Sequence, residues 1–253
     1  VMVITLRTTG LVTLSGSFIS QTIPFAQDGD ESIGLVGLGA SPVRGVKPGL
    51  YPVTVTATDA NGTQTNVTLN VQINPGHFNY ETITLTPDRQ QLLDPALQQI
   101  EAQKVNAVWT VFNPVRYWHG LFNVPVADFT KISSPFGTRR SYAGGPFTSY
   151  HEGTDFAIPE GTPVYAPADG VVMLAEALAV RGNAVIIDHG WGVYSGLYHL
   201  KSFNVTVGQF VHQGDLVAIS DNTGLSTGAH LHWDLLIRGV NVNALAFTQQ
   251  VYP

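Results

Sequence analysis

The stretch HLHWDLLI, residues 230–237, carries the reading from which the fold follows. Successive side chains of a β-strand point to opposite faces, so His230 and His232 share one face and Leu231 and Trp233 the other. Two imidazoles side by side suggest a metal or proton-transfer site, although H-x-H alone fits a polar strand face equally well. Similar strands precede it: TPVYAPADGVVMLAEA (162–177), NAVIIDHG (183–190), GVYSGLYHL (192–200) and FVHQGDLVAIS (210–220). Gly, Pro, Asn and Asp separate them, and no helix-length periodic run intervenes. An antiparallel sheet with the site on its face is the expected result.

The whole composition agrees with a mainly β chain. Its 253 residues include 26 Gly and 15 Pro, which favour many turns between short strands. A formal net charge of −6 gives a nucleic-acid partner no broad electrostatic support. There is no cysteine, so disulfides and thiolate metal sites are excluded and any metal must be held by His, Asp or Glu. No apolar run reaches 18 residues, so no integral membrane span is expected. The chain opens at Val1 without a signal-like segment, and the expectation is an exported protein of the bacterial envelope with its signal removed.

Three segments are expected. Residues 1–75 read as an immunoglobulin-like β-sandwich: LVTLSGSFISQTIPF (11–25) and SIGLVGLG (32–39) supply short strands. A hairpin follows in YPVTVTATDANGTQTNVTLNVQI (51–73), turning at Asn61-Gly62 and returning with Val67, Leu69, Val71 and Ile73 on one face. Asn74-Pro75-Gly76 marks a boundary, and a fragment starting near His77 is expected to fold. Residues 76–131 read as a helical and aromatic connecting segment packed on the next domain. Thr86-Pro87 and Asp94-Pro95 are helix starts, each with a capping side chain before a Pro. A helix near 95–108 follows from the spacing of Leu97, Ile100, Lys104, Val105 and Val108. Residues 132–253 form the third segment.

That third segment gives the paired histidines company. His151 and Asp155 stand as H-x-x-x-D, and His199 lies near the end of another strand. A catalytic zinc takes three protein ligands and leaves a position open, so His151, Asp155 and one of His230 and His232 suffice. The remaining histidines are then free for proton transfer. His189, His212, His77 and His119 lack a paired donor nearby and read as surface or hydrogen-bonded residues.

From about Ser134 to Leu236 the chain resembles the lysostaphin-type, LytM-like (M23) zinc metallopeptidases. The resemblance rests on ordered blocks: SSPFGTRR (133–140), HEGTDFAIPEGTPVYAPADGVV (151–172), GNAVIIDHG (182–190), YHL (198–200), VGQFVHQGD (207–215) and NTGLSTGAHLHWDL (222–235). It implies an antiparallel-sheet metallopeptidase domain that binds one zinc per chain and cleaves peptide cross-links or stems of peptidoglycan with metal-activated water. His151, Asp155 and His232 are implied as zinc ligands, and His199 and His230 as catalytic histidines. Arg139 in FGTRR falls in a family block, where the resemblance implies a structural role or contact with a substrate carboxylate, the structural role being favoured. Leu197 and Tyr198 before His199, and Trp233 where Phe is usual, depart from the family pattern without touching a proton-bearing residue.

Two rival readings exist. TPVYAPADGVV also resembles half of a biotinyl or lipoyl carrier, but no lysine lies between Lys131 and Lys201 to take the cofactor. The second keeps the fold as a catalytically silent or autoinhibited wall-binding regulator of a partner hydrolase. Against it stands the full ligand set.

Overall fold

The computed structural model describes residues 1–10, 12–40 and 46–252; Leu11, where one expected strand begins, lies outside them. In the N-terminal part, β1 (Met2–Arg7), β4 (Ala26–Asp28) and β5 (Glu31–Val36) form a sheet in the order β1-β5-β4. A second sheet, β3-β2-β6-β7, contains β2 (Val12–Phe18), β3 (Gln21–Pro24), β6 (Gly49–Asp59) and β7 (Gln64–Ile73). Phe18, Ile23, Val36 and Val53 close a small core between them. The expected hairpin is β6–β7, with ten paired positions. Its apolar stripe is only half used. Val71 and Ile73 pack on the core, whereas Val67 and Leu69 are 54% and 67% exposed on the edge strand β7, although their partners Val55 and Val53 on β6 are buried.

The connecting segment holds β8 (Tyr80–Ile83), α1 (Pro87–Gln90), a 3-10 turn (Gln91–Leu93) and α2 (Pro95–Trp109). Asp94 caps α2 by accepting from Ala96 N and Leu97 N, while Thr86 makes no side-chain cap on α1. The buried residues of α2 are Glu101, Val105 and Trp109; of the row expected from spacing Val105 is buried and Val108 packs beside it, whereas Ile100 is 67% exposed. Glu101 accounts for its own inward placement: its carboxylate takes the backbone donors of Val180 and Arg181 in the turn after Leu178, so a polar residue shares the packed face.

The remaining strands are β9 (Lys131–Ser134), β10 (Arg139–Tyr142), β11 (Ser149–Tyr150), β12 (Thr154–Ala157), β13 (Pro163–Tyr165), β14 (Gly170–Leu178), β15 (Gly182–Gly190), β16 (Val193–Phe203), β17 (Phe210–Val211), β18 (Leu216–Ser220), β19 (Leu231–Ile237) and β20 (Val240–Val242), followed by the short helix α3 (Leu245–Gln249). The main sheet runs β17-β14-β15-β16-β19-β12-β9 with antiparallel neighbours, and β8 pairs with β10 in parallel in a separate small sheet. Both faces of the central strands are covered. On one, Leu197, Leu231, Trp233 and Leu235 pack with Trp118, Phe122 and Val126 of the aromatic segment and with Ala26, Ile33 and Leu35 of the N-terminal sheet. On the other, Tyr194, Tyr198 and Leu236 pack under Val105 and Trp109 of α2. No strand pairing crosses residue 75 among the described residues, yet this core does.

Candidate active site

Alternation along β19 sends His232, Asp234 and Leu236 to the face that α2 covers. Leu236 lies under the helix, and His232 and Asp234 lie beyond it. Register then brings neighbours into line: Asp155 of β12 pairs with His232 on one side, and Tyr198 of β16 pairs with it on the other. His151 precedes β12 by three residues and is fully buried.

His151 Nε2, Asp155 Oδ1 and His232 Nδ1 converge. His151 Nε2 is 3.0 Å from both Asp155 Oδ1 and His232 Nδ1, and His232 Nδ1 is 2.8 Å from Asp155 Oδ1. His230 Nε2 lies 3.6 Å from the same oxygen. The rings of His199 and His230 are 4.7 Å apart, and Tyr198 stacks on His232 at 5.4 Å. In a regular strand Tyr198 and His199 point to opposite faces. Here His199 has φ of 61°, and this left-handed kink lets both side chains reach the site.

The remote nitrogens settle the tautomers. A carbonyl only accepts, so the ring nitrogen facing it carries the proton. His151 Nδ1 donates to Pro135 O (3.1 Å), His199 Nδ1 to Thr223 O (2.7 Å) and His230 Nδ1 to Gly228 O (2.7 Å). Each leaves Nε2 as the open nitrogen. His232 is held the other way: Nε2 donates to Asp234 Oδ1 at 2.8 Å, leaving Nδ1 for the centre. Asp155 Oδ2 accepts from Arg140 Nη2 at 3.1 Å, and Arg140 Nε also pairs with Glu81.

These surroundings set the charges. Burial lowers the His199 pKa well below the ordinary histidine value, and the neighbouring His230 and His232 add to the effect. Burial likewise lowers His151, outweighing Asp155. For Asp155 burial acts upward, but His151 and His232 together hold it well below the usual carboxylate range. Burial opposes protonation of His232 too, yet Asp234 and Asp155 raise it to about 9, so without a metal Nδ1 also carries a proton toward Asp155, and service as a ligand requires its release.

All five site residues read from the sequence therefore come together. Arg140, Glu81 and Asp234 complete the surroundings and were not singled out. Asp234 had a signal, since it lies two residues after His232 on the same strand face. Arg140 had none, because only the parallel pairing with β8 sets it opposite Glu81. Its neighbour Arg139 instead donates to Ala40 O at 2.7 Å and covers the Phe78 ring, a structural placement. His189 is a core residue held by Asp169 O and Ser195 Oγ, each at 2.8 Å, whereas His77, His119 and His212 are exposed.

Residues 149–244 match the model of Peptidase family M23. The chain carries an M23 domain. A peptidoglycan DD-endopeptidase, ShyA of Vibrio cholerae, is 43% identical over 121 residues, which cover 48% of this chain and 28% of that protein. A DD-carboxypeptidase/endopeptidase, Mpg of Neisseria meningitidis, is 40% identical over 127 residues, 50% of this chain and 29% of that one. The chain thus spans less than a third of the length of these two curated relatives. A crystal structure of a candidate peptidase M23 from Pseudomonas aeruginosa aligns over 99% of this chain and 94% of its own, with a TM-score of 0.70 and 25% identity. The architecture outside the M23 domain is therefore shared as well.

A groove of about 700 Å³ runs from the M23 site between α2 and the segment around β11, bordered by Trp109, Tyr142, Tyr150, Arg181, His199 and His232. Among the described residues no helix is long and apolar enough to cross a membrane.

Proposed function

We propose that this chain is a zinc-dependent endopeptidase of the bacterial envelope that hydrolyses peptide cross-links or stems of peptidoglycan. The observation that carries the reading is the convergence of His151 Nε2, Asp155 Oδ1 and His232 Nδ1, with His199 and His230 alongside. The donor set suits a divalent zinc: two imidazoles and one carboxylate, each fixed from behind by a carbonyl, a carboxylate or a guanidinium. When bound, zinc supplies Lewis acidity that polarises a carbonyl and makes water a nucleophile near neutral pH.

The chain's own residues supply the rest. His199, kept neutral by burial, accepts a proton at Nε2 and returns it to the leaving amine. His230 offers a second open Nε2 beside the same carboxylate. Asp234 keeps the proton of His232 on Nε2, so that Nδ1 stays available as a ligand. The groove, about 700 Å³, opens onto the site, and the names of the relatives support a direct stem cross-link as the bond cleaved.

Digestion of purified peptidoglycan, followed by mass spectrometry and paired with elemental analysis, tests this reading. New amines and carboxyls at peptide cross-links and near-equimolar zinc are expected. Release of reducing sugar ends with intact peptides would overturn it.

A further inference from the structure

His199 is the strained member of the site, a histidine in the left-handed region at φ 61°. Three hydrogen bonds hold it there. Its backbone N donates to Arg181 O at 3.0 Å, its carbonyl accepts from Asp221 N at 3.0 Å, and its Nδ1 donates to Thr223 O at 2.7 Å. The partners belong to two loops, one around residues 180–182 and one around 221–225. These loops are packed backbone against backbone. A Cβ on Gly182 would meet Thr223 Oγ1 at 2.4 Å, and one on Gly224 would meet Gly182 N at 2.3 Å. Leu225 N donates to Val180 O at 2.7 Å and Asn183 N to Thr223 Oγ1 at 3.1 Å, so the loops form one unit.

That unit is gripped from outside the M23-matched region. Glu101 of α2, only 5% exposed, accepts from Val180 N (2.6 Å), Arg181 N (3.1 Å) and Arg181 Nη1 (2.9 Å). Arg89 of α1 donates Nη2 to Asn222 O at 2.7 Å and Nη1 to Gly224 O. Glu101 holds the loop that accepts the His199 backbone N–H; Arg89 holds the loop that bonds its carbonyl and its imidazole. Bonds to charged groups are the stronger ones, and losing a carboxylate here strands two backbone donors.

We propose that Glu101 and Arg89 are positioning residues that hold His199 in its strained, site-facing conformation through these two loops. The proposal rests on the reading of His199 as a proton-handling residue. It makes the connecting segment part of the working site: a chain trimmed to the M23-matched residues keeps all five site residues and loses both clamps.

The test uses the full chain with zinc bound and a cross-linked muropeptide dimer as substrate. Glu101→Ala is expected to lower kcat on the order of 10- to 100-fold, the scale of a small misplacement of a catalytic group, with KM and zinc content unchanged. Glu101→Gln should restore most of the rate, as should Arg89→Lys relative to Arg89→Ala. In a His199→Ala background Glu101→Ala should cause no further loss; an equal loss in both backgrounds would overturn the proposal. A second readout needs no substrate. Solvent exchange of the His199 Nδ1 proton, followed by NMR in the imidazole region, should quicken in Glu101→Ala and Arg89→Ala, and unchanged exchange in both refutes the clamp. If Glu101→Ala fails to fold, the Arg89→Ala exchange rate decides it: faster exchange supports the clamp and an unchanged rate refutes it. Faster exchange in a chain that never cleaves peptidoglycan would keep the clamp and remove the peptidase reading.

Discussion

His232 accounts for much of the site's behaviour, because each of its ring nitrogens meets a carboxylate. Its replacement by Ala is expected to abolish both zinc binding and hydrolysis. His199→Ala and His230→Ala should retain the metal and lose about 10²- to 10⁴-fold in rate, the usual span of general acid–base help; dialysed zinc content against activity separates the two classes. Asp234→Asn should weaken zinc by about 10- to 100-fold as the support of His232 is lost, measurable by competition with a chelator. Away from the site, His189 is buried between a carbonyl and a hydroxyl, and burial pushes its pKa down to about 4. The unfolded chain binds that proton first, so the His189 contribution to stability is complete above about pH 6.5 and falls as pH drops toward 4. The slope reaches about 1.4 kcal/mol per pH unit. Urea unfolding at pH 7 and pH 5 should show this loss, and His189→Gln should shrink it.

At the scale of elements, α2 is the piece whose sequence reading needed most revision. Its existence and its Asp94 cap were legible because capping and proline placement are local. Its buried face was legible only at Val105 and Val108, because Glu101 packs inward only where Val180 and Arg181 present donors. The packing predicts that Trp109→Ala, which removes a 2% exposed indole from the cluster with Tyr194 and Leu236, costs about 3–5 kcal/mol. Ile100→Ala, on the exposed side, should be close to neutral. Denaturant midpoints of the two variants check both expectations. In β6–β7 alternation sets the faces, but Val67 and Leu69 stay exposed on the edge strand while Val55 and Val53 beside them are buried, a difference set by strand order rather than by local pattern.

Across the whole molecule, strand pairing and packing divide the chain differently. Pairing separates residues before and after 75, while Ala26, Ile33 and Leu35 lie in one core with Trp118 and Trp233. A fragment beginning at His77 exposes that surface and is expected to melt below the full chain. Leu35→Ala should likewise cost about 2–5 kcal/mol and lower the melting temperature by about 2–4 °C per kcal/mol in a single transition. An unchanged melting temperature for the fragment would show that the N-terminal sheets add nothing to the stability of the rest.

Local chemistry was enough to establish the mainly β class, the hairpin, the helix start at Asp94 and the shared face of His230 and His232, since each depends on alternation or capping within a short window. The grouping of that pair with His151, Asp155 and His199 rested on the ordered blocks of the family resemblance. Only the tertiary structure decided that Arg140, not Arg139, faces Asp155, that Tyr198 and His199 both reach the site, and that Glu101 and Arg89 grip its loops. Those outcomes depend on the register between strands distant in sequence and on a left-handed residue where alternation demands an extended one. A single strand's pattern records which face a side chain takes, but what stands opposite that face is set by the rest of the chain.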